Sequence, residues 1–193
     1  MSKKTLGLIA VLLVLASVLI FVAVSQKKAQ EQPLNTVNTQ QVATSPTVVK
    51  VPATTTLAFS SISLPVTNTP QQFPITINSS NEVTAIQLEL TFDPLKLTNA
   101  SIAQPVTDAF LDKPTELLKN VDIKKGRITY AFGISPSQNP KKGTGTVAVL
   151  SFTPKLNPGE QTKISFLPKT LVTALGVNES VLKSTTNTTI TGQ

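Results

Sequence analysis

A strict alternation of apolar and polar side chains in the middle of the chain is the feature that most constrains the fold. Within residues 83–97 the apolar side chains at every second position are Ile86, Leu88, Leu90 and Phe92. Because successive side chains of a β-strand point to opposite faces, the pattern predicts a strand with one face on a core and one in solvent. Asp93 and Pro94 end it, since proline has no amide hydrogen and aspartate closes turns with its own side chain.

Short runs of the same kind recur through the second part of the chain, about ten residues apart, with prolines and glycines between them. The predicted strands lie within residues 57–64, 73–77, 83–92, 95–103, 128–134, 147–152, 164–166, 171–175 and 188–190. The pattern predicts nine or ten strands in all, with a bulge at Ser60 and Ser61. Many short strands without crossover helices predict an all-β sandwich or jelly roll.

Two segments of this region lack a strand pattern. Asp112 and Pro114 carry the signals that open a helix, so we expect one or two helical turns that bring Leu117 and Leu118 inward. Residues 135–145 are rich in proline, glycine and lysine and are expected to form a long turn.

The N-terminal residues 1–25 are predicted to anchor the chain in a membrane. Thr5 to Val24 contains no charged residue, and twenty helical residues span about 30 Å, the thickness of a bilayer core. Lys3 and Lys4 favour a cytoplasmic N-terminus, with a single pass and an extracellular C-terminal domain. The alternative is a signal peptide, cleaved after Ala23 to Ser25, which would make the protein secreted.

Residues 26–54 are predicted to be a disordered linker between this segment and a domain at residues 55–193. The linker is rich in Gln, Asn, Thr and Val, with three prolines and no aromatic residue or glycine. Such a composition buries too little apolar surface to offset its ordering entropy. We therefore expect the domain to be held on a spacer.

Composition excludes several classes of function. The chain has no cysteine and no histidine, which removes disulfides, thiolate nucleophiles, the usual zinc sites and histidine acid–base catalysis. Residues 55–193 hold eleven lysines and Arg127 against nine acidic residues, a net charge of only +3, without a basic stripe. No nucleic-acid partner is therefore expected.

Four motifs, in this order and spacing, resemble the cohesin domain family: FDPLKL at residues 92–97, GRITYAFG at 126–133, GTGTVAVLSFTPK at 143–155 and TTNTTITG at 185–192. The resemblance covers about Thr55 to Gly192. It implies a nine-stranded jelly-roll β-sandwich that binds a dockerin-type protein domain, without catalysis, at a cell surface that assembles polysaccharide-degrading enzymes.

In that family the partner lies on one flat sheet face, which includes the strand before the Asp-Pro pair and the glycine-led strands. Mapped onto this sequence, the implied partner-binding residues are Ala85, Gln87, Glu89, Thr91, Thr129, Ala131, Val147 and Val149. Val147 and Val149 are apolar where a solvated face is expected, which is typical of a partner site. The alternative explanation is that a loop covers them.

The main alternative function is a carbohydrate-binding module that binds polysaccharide directly. Such modules stack sugar rings on exposed Trp or Tyr, but the chain has no Trp, and its one Tyr, Tyr130, is on the apolar side of its strand. No pair of carboxylates can be assigned to glycosidase chemistry, and no repeated Asp-x-Asp calcium loop is present. We therefore predict no catalytic residue, no cofactor and no metal ligand.

Overall fold

The computed structural model describes residues 51–60 and 69–192. The predicted membrane segment and linker lie outside these residues, apart from the last residues of the linker, and so do Ser61, Ile62 and Leu64. The described residues form ten strands: β1 Thr55–Phe59, β2 Gln71–Thr91, β3 Leu97–Ala103, β4 Thr115–Asp122, β5 Arg127–Gly133, β6 Lys141–Pro154, β7 Gln161–Phe166, β8 Leu171–Ala174, β9 Leu182–Thr186 and β10 Thr188–Thr191. The described residues are all-β, as predicted, and none of them forms a helix with the length and hydropathy of a membrane span.

The long strand β2 belongs to two groups of strands. Its first half, residues 71–79, pairs with β1 and β6, and β1 and β6 pair in turn with β9 and β3. Its second half, residues 83–91, pairs with β5 on one side and with β8 and β7 on the other. β4 continues the second group beyond β5, and β10 pairs with β7. The two predicted strands at 73–77 and 83–92 are therefore one strand that runs through both groups.

A shift in the alternation of β2 turns both halves toward one core. Up to Val83 the buried residues are the odd-numbered ones, such as Phe73, and from Ile86 onward they are the even-numbered ones. The shift coincides with a register irregularity between Val83 and Ala85, as expected of a β-bulge.

Aliphatic and aromatic side chains from both groups fill the interior. Ile86, Leu88, Leu90 and Phe92 are buried, as the sequence predicted. The rings of Phe59 in β1 and Phe166 in β7 lie 4.9 Å apart, so the two groups of strands meet across this core. The arrangement is that of a β-sandwich.

The structure corrects three expectations. Residues 115–122 form the edge strand β4 and not helical turns, and Leu117 and Leu118 are 65% and 48% exposed instead of turned inward. The long turn is shorter than predicted, because β6 begins at Lys141. Strand β9 was missed, because its residues are mostly exposed and show no apolar alternation.

Candidate functional site

The second group of strands carries a four-stranded outer surface that we call the open face. Its strands are β4, β5, the second half of β2, and β8 with the end of β7. Residues directly opposite one another in antiparallel strands project from the same side of a sheet, so the register defines rows across this face. The rows are Thr115, Gly133, Ala85 and Thr173; Leu118, Ala131, Gln87 and Leu171; Asn120, Thr129 and Glu89; and Asp122, Arg127, Thr91 and Ser165.

These side chains are outward because their neighbours in sequence are inward. Tyr130 and Phe132 in β5 and Leu88 in β2 are at most 1% exposed, whereas Ala131 and Gln87 between them are half-buried. The core thus fixes which residues reach solvent, and the open face follows from the alternation of each strand.

The first two rows of the open face carry small residues at their centre. Gly133 lies opposite Ala85, and a Cβ atom on Gly133 would come within 2.8 Å of the Ala85 Cβ atom. Two larger residues could not occupy this pair. In the next row Ala131 is flanked by Leu118, which rises at the β4 edge. The result is a shallow apolar depression beside an exposed leucine.

Polar groups around the depression are held by the segment between β7 and β8. The Gln87 Nε2 atom donates to the Lys169 carbonyl oxygen at 3.2 Å, which directs the amide toward β8. The Thr170 hydroxyl binds the backbone of Glu89, while the Glu89 carboxylate forms no ion pair with any residue that the structure describes. Glu89 therefore presents a free negative charge on a fixed backbone.

The last row of the open face lies beside the turn between β4 and β5. Asp122 is opposite Arg127 in the register and lies 3.5 Å from the Lys125 Nζ atom. The Lys125 amide donates to the Asp122 carboxylate at 3.0 Å, and this bond, with the Lys125 charge, lowers the pKa of Asp122. The Asp122 carboxylate therefore has a cationic partner in its own turn, whereas Glu89 forms no ion pair with a described residue.

Six of the eight predicted site residues lie together on the open face: Ala85, Gln87, Glu89, Thr91, Thr129 and Ala131. Val147 and Val149 do not, because β6 pairs with β3 and the first half of β2 and therefore belongs to the other group of strands. Val147 is only 2% exposed. Val147 belongs to the buried core, and the segment from Asp108 to Phe110 is hydrogen-bonded to Thr146 next to it, so its side chain is not on an outer surface. Val149 lines a surface cavity of about 410 Å³ in the same group of strands.

Sequence reasoning missed the residues that β4 and β8 contribute to the open face: Leu118, Asn120, Leu171 and Thr173. For β8 a signal was available, because Val172 and Ala174 are apolar and turn inward, which places Leu171 and Thr173 outside. For β4 it was not, since an edge strand exposed on both sides has no apolar alternation.

Other kinds of site find less support in the described residues. All eight aromatic side chains within residues 51–60 and 69–192 are at least nine-tenths buried, so they offer no ring for sugar stacking. Burial, with the nearby Glu116 charge, raises the pKa of Tyr130 to about 12, as fits an interior side chain. Within the same residues no three acidic side chains are grouped in a way that could hold a metal ion.

The comparisons with known proteins agree with this architecture. The sequence model of the family described as Cohesin domain matches residues 72–192. No curated protein matches the chain significantly.

Several solved structures share the fold. CaCohA2 of Clostridium acetobutylicum is 20% identical, with a TM-score of 0.60 over 74% of this chain and 92% of that one. The sixth cohesin of scaffoldin B from Acetivibrio cellulolyticus, solved with a Cel5 dockerin, is 18% identical, with a TM-score of 0.60 over 72% of this chain and 99% of that one. A non-cellulosomal cohesin of Archaeoglobus fulgidus is 16% identical, with a TM-score of 0.56 over 73% of this chain and 92% of that one.

Proposed function

This chain belongs to the cohesin domain family, and on that premise we propose that it binds a dockerin-type protein domain, without catalysing a reaction, through the open face. The observation that carries the proposal is the register itself, which brings residues of four strands into flat rows of half-buried and exposed side chains. A flat sheet surface with small residues at its centre accepts a packed helix from a partner.

The outer surface of the other group of strands is a poorer candidate. The segment from Asp108 to Phe110 pairs with the edge of β6 at Thr146 through backbone hydrogen bonds of 2.8 and 3.0 Å. Residues 104–108 border a cavity of about 410 Å³ on this surface, together with Pro74 and Val149, so a partner placed there would meet this loop beside the sheet. The open face is therefore the surface to which we assign the dockerin-type partner.

The N-terminal residues complete the proposal. We assign residues 1–25 to a single-pass membrane anchor and residues 26–54 to a spacer, so that the domain is displayed outside the cell. There it would hold dockerin-bearing enzymes of polysaccharide degradation near the surface. Protease treatment of intact cells should remove the domain and leave an N-terminal fragment in the membrane fraction, whereas protein in the medium that lacks the N-terminal segment would contradict the anchor.

Binding is tested with the purified chain and a panel of dockerin domains, with insoluble polysaccharides in parallel. Replacing Gln87 and Glu89 together by tryptophan should abolish dockerin capture and leave the melting temperature nearly unchanged, since both side chains face outward. The matched control replaces Gln72 and Ser151, an outward pair of the other group of strands, by tryptophan and should bind as the unmodified chain does. Unchanged capture by the Gln87 and Glu89 variant would contradict the assignment of the face.

A further inference from the structure

The outer surface of the first group of strands has no charged side chain in its rows, and we call it the neutral face. The register of β1, the first half of β2, β6 and β3 defines these rows. They are Ala58, Thr76 and Thr146; Pro74, Val149 and Ala103; Gln72, Ser151 and Ser101; and Thr153 with Thr98. The rows of the open face, by contrast, include Glu89, Asp122 and Arg127. Two neutral faces can therefore meet without bringing like charges together.

A cavity of about 410 Å³ opens on the neutral face. Pro74, Val149 and Ala103, which form one row across three strands, supply its apolar lining. The loop of residues 104–108, which follows β3, forms its wall, and the exposed Asp108 is the one charged residue that the structure shows in the lining. An apolar side chain from outside would find an apolar lining here and would leave water on entering.

The same loop presents such a side chain. Val106 is 99% exposed and lies at the border of the cavity. The loop is held at both ends, because the Gln104 Nε2 atom donates to the Pro114 carbonyl oxygen at 2.9 Å and the Thr146 amide donates to the Asp108 carbonyl oxygen at 3.0 Å. Burying Val106 against another molecule would thus order little that is not already ordered.

An exposed apolar side chain beside an apolar cavity makes this surface complementary to itself. In a two-fold symmetric dimer the same patch of both subunits is in contact, so a projection on one copy meets a recess on the other, and the reverse. We propose that the neutral face joins two copies of this chain, with Val106 of each copy in the cavity beside Pro74 and Val149 of the other.

The size of the neutral face sets the strength of this contact. Five strands, β9, β1, β2, β6 and β3, extend about 24 Å across, and five residues extend about 17 Å along a strand. The resulting area of about 400 Å² on each copy is half of that in a standard protein interface, so the dimer is weak and reversible. The open face lies on the other side of the sandwich and stays accessible in both copies.

Cross-linking tests the contact directly, because the chain has no cysteine of its own. Purified full-length Val106→Cys and Val149→Cys chains, one with a size tag, are mixed and oxidised with copper phenanthroline. We expect a mixed disulfide dimer, since a disulfide forms only when the two Cα atoms come within about 7 Å. Val106→Cys mixed with Thr91→Cys, a position on the open face, is the control. A mixed dimer that is no more abundant with Val149→Cys than with Thr91→Cys would overturn the proposal.

Sedimentation of the full-length chain gives the quantitative test. Val106→Asp should weaken self-association roughly tenfold or more and leave the melting temperature unchanged, because the side chain is exposed in a single copy. Leu95→Asp is the matched control, since Leu95 is 84% exposed in the turn between β2 and β3, outside the neutral face, and should associate as the unmodified chain does. Equal behaviour of the two variants would overturn the proposal, and so would an unmodified chain that is monomeric at about 1 mM, where a dimer with a Kd of about 100 µM predominates.

Discussion

The hydroxyl group of Thr170 binds both backbone groups of Glu89, accepting its amide hydrogen at 3.1 Å and donating to its carbonyl oxygen at 3.1 Å. β7 pairs with β2 at Leu90 and Thr91, and β8 pairs with it at residues 83–87, so on this side of β2 neither strand is opposite Glu89. The Thr170 side chain makes the hydrogen bonds to Glu89 that a neighbouring strand would otherwise make. The gap between β7 and β8 is therefore closed beside Glu89, one of the residues of the open face.

Thr170→Val should destabilise the domain by about 1–2 kcal/mol. Valine keeps the shape of the buried side chain but leaves the Glu89 amide without its acceptor, whereas the Glu89 carbonyl keeps its bond from the Leu167 amide at 2.7 Å. Urea unfolding measures the loss. Hydrogen exchange at the Glu89 amide should accelerate at the same time, and unchanged exchange would contradict this role of the hydroxyl group.

Thr170→Ser is the matched control for that variant. Serine keeps the hydroxyl and removes only a methyl group, so the loss of stability should be smaller than for valine and the Glu89 amide should stay protected. Equal losses for Ser and Val would mean that packing, and not the hydrogen bonds, sets the importance of Thr170.

The gap that Thr170 closes also shows that strand pairing could not be predicted from the sequence. The alternation of Ile86, Leu88, Leu90 and Phe92 predicted the central strand and its buried face, because the period of side chains is a property of the strand itself. Adjacency between distant strands is not such a property. Nothing in β7 or β8 shows that both would pair with β2 and leave Glu89 between them.

For the candidate site, too, alternation within a strand could be predicted and pairing between strands could not. Residues of β2 and β5 were placed on the open face from alternation and from the family resemblance, and the structure brings those six together. Val147 and Val149 were included from the same resemblance and from their apolar character on a face expected to be solvated, but the pairing of β6 with β3 places them elsewhere. Leu118 was missed because β4 is an edge strand with a bulge between Glu116 and Leu118, and its residues do not alternate between buried and exposed.

Gly126→Ala should be strongly destabilising, by about 3 kcal/mol or more. Gly126 has φ 61°, and an added Cβ atom would overlap the Phe92 carbonyl oxygen and approach the Pro94 Cδ atom at 2.9 Å. The Phe92 amide donates to the Gly126 carbonyl at 2.9 Å, so the turn cannot move away without losing that bond. Chemical denaturation of the variant measures the effect.

Gly176→Ala separates backbone strain from collision in this comparison. Gly176 has φ 70°, close to that of Gly126, but an added Cβ atom there would meet no atom within 4 Å. We expect a cost of only about 1 kcal/mol, the strain of a left-handed conformation in a residue with a Cβ atom. Similar losses at both glycines would contradict the role assigned to the Phe92 carbonyl.

Glu160→Gln should reduce the dependence of stability on acid pH. The Glu160 carboxylate accepts the Asn157 amide hydrogen at 3.0 Å and pairs with the Lys96 Nζ atom at 3.0 Å, and these contacts lower its pKa from the usual 4.5. A carboxyl group with a lowered pKa in the folded state stabilises that state above its usual pKa, and the contribution is lost as pH falls through the folded value.

The measurement is the difference in melting temperature between about pH 7 and pH 3, which should be smaller for Glu160→Gln than for the unmodified chain. Glu179→Gln is the control, since Glu179 is exposed and has no ion pair among the described residues. If both variants narrow the difference equally, the effect belongs to net charge and not to the contacts of Glu160.

Asn81→Ala should loosen the point where the domain begins. The buried Asn81 Oδ1 atom accepts hydrogen bonds from the Thr54 amide at 3.2 Å and from the hydroxyl groups of Thr54 and Thr55, and its Nδ2 atom donates to the Pro52 carbonyl at 3.2 Å. Removing the amide leaves several of these groups without partners, so we expect a loss of about 2–3 kcal/mol. Asn78→Ala, an exposed position of the same strand, should cost less than about 0.5 kcal/mol.

The position of these bonds predicts more than a loss of global stability. Residues 52–55 lead directly from the predicted spacer into β1, where the Thr55 amide donates to the Val181 carbonyl at 3.1 Å. In Asn81→Ala, hydrogen exchange at Thr54 and Thr55 should accelerate well before that of core amides such as Leu88, because the lost bonds lie at the edge of the domain. Uniform acceleration at all three positions would show instead that Asn81 supports the whole sandwich and not its first strand in particular.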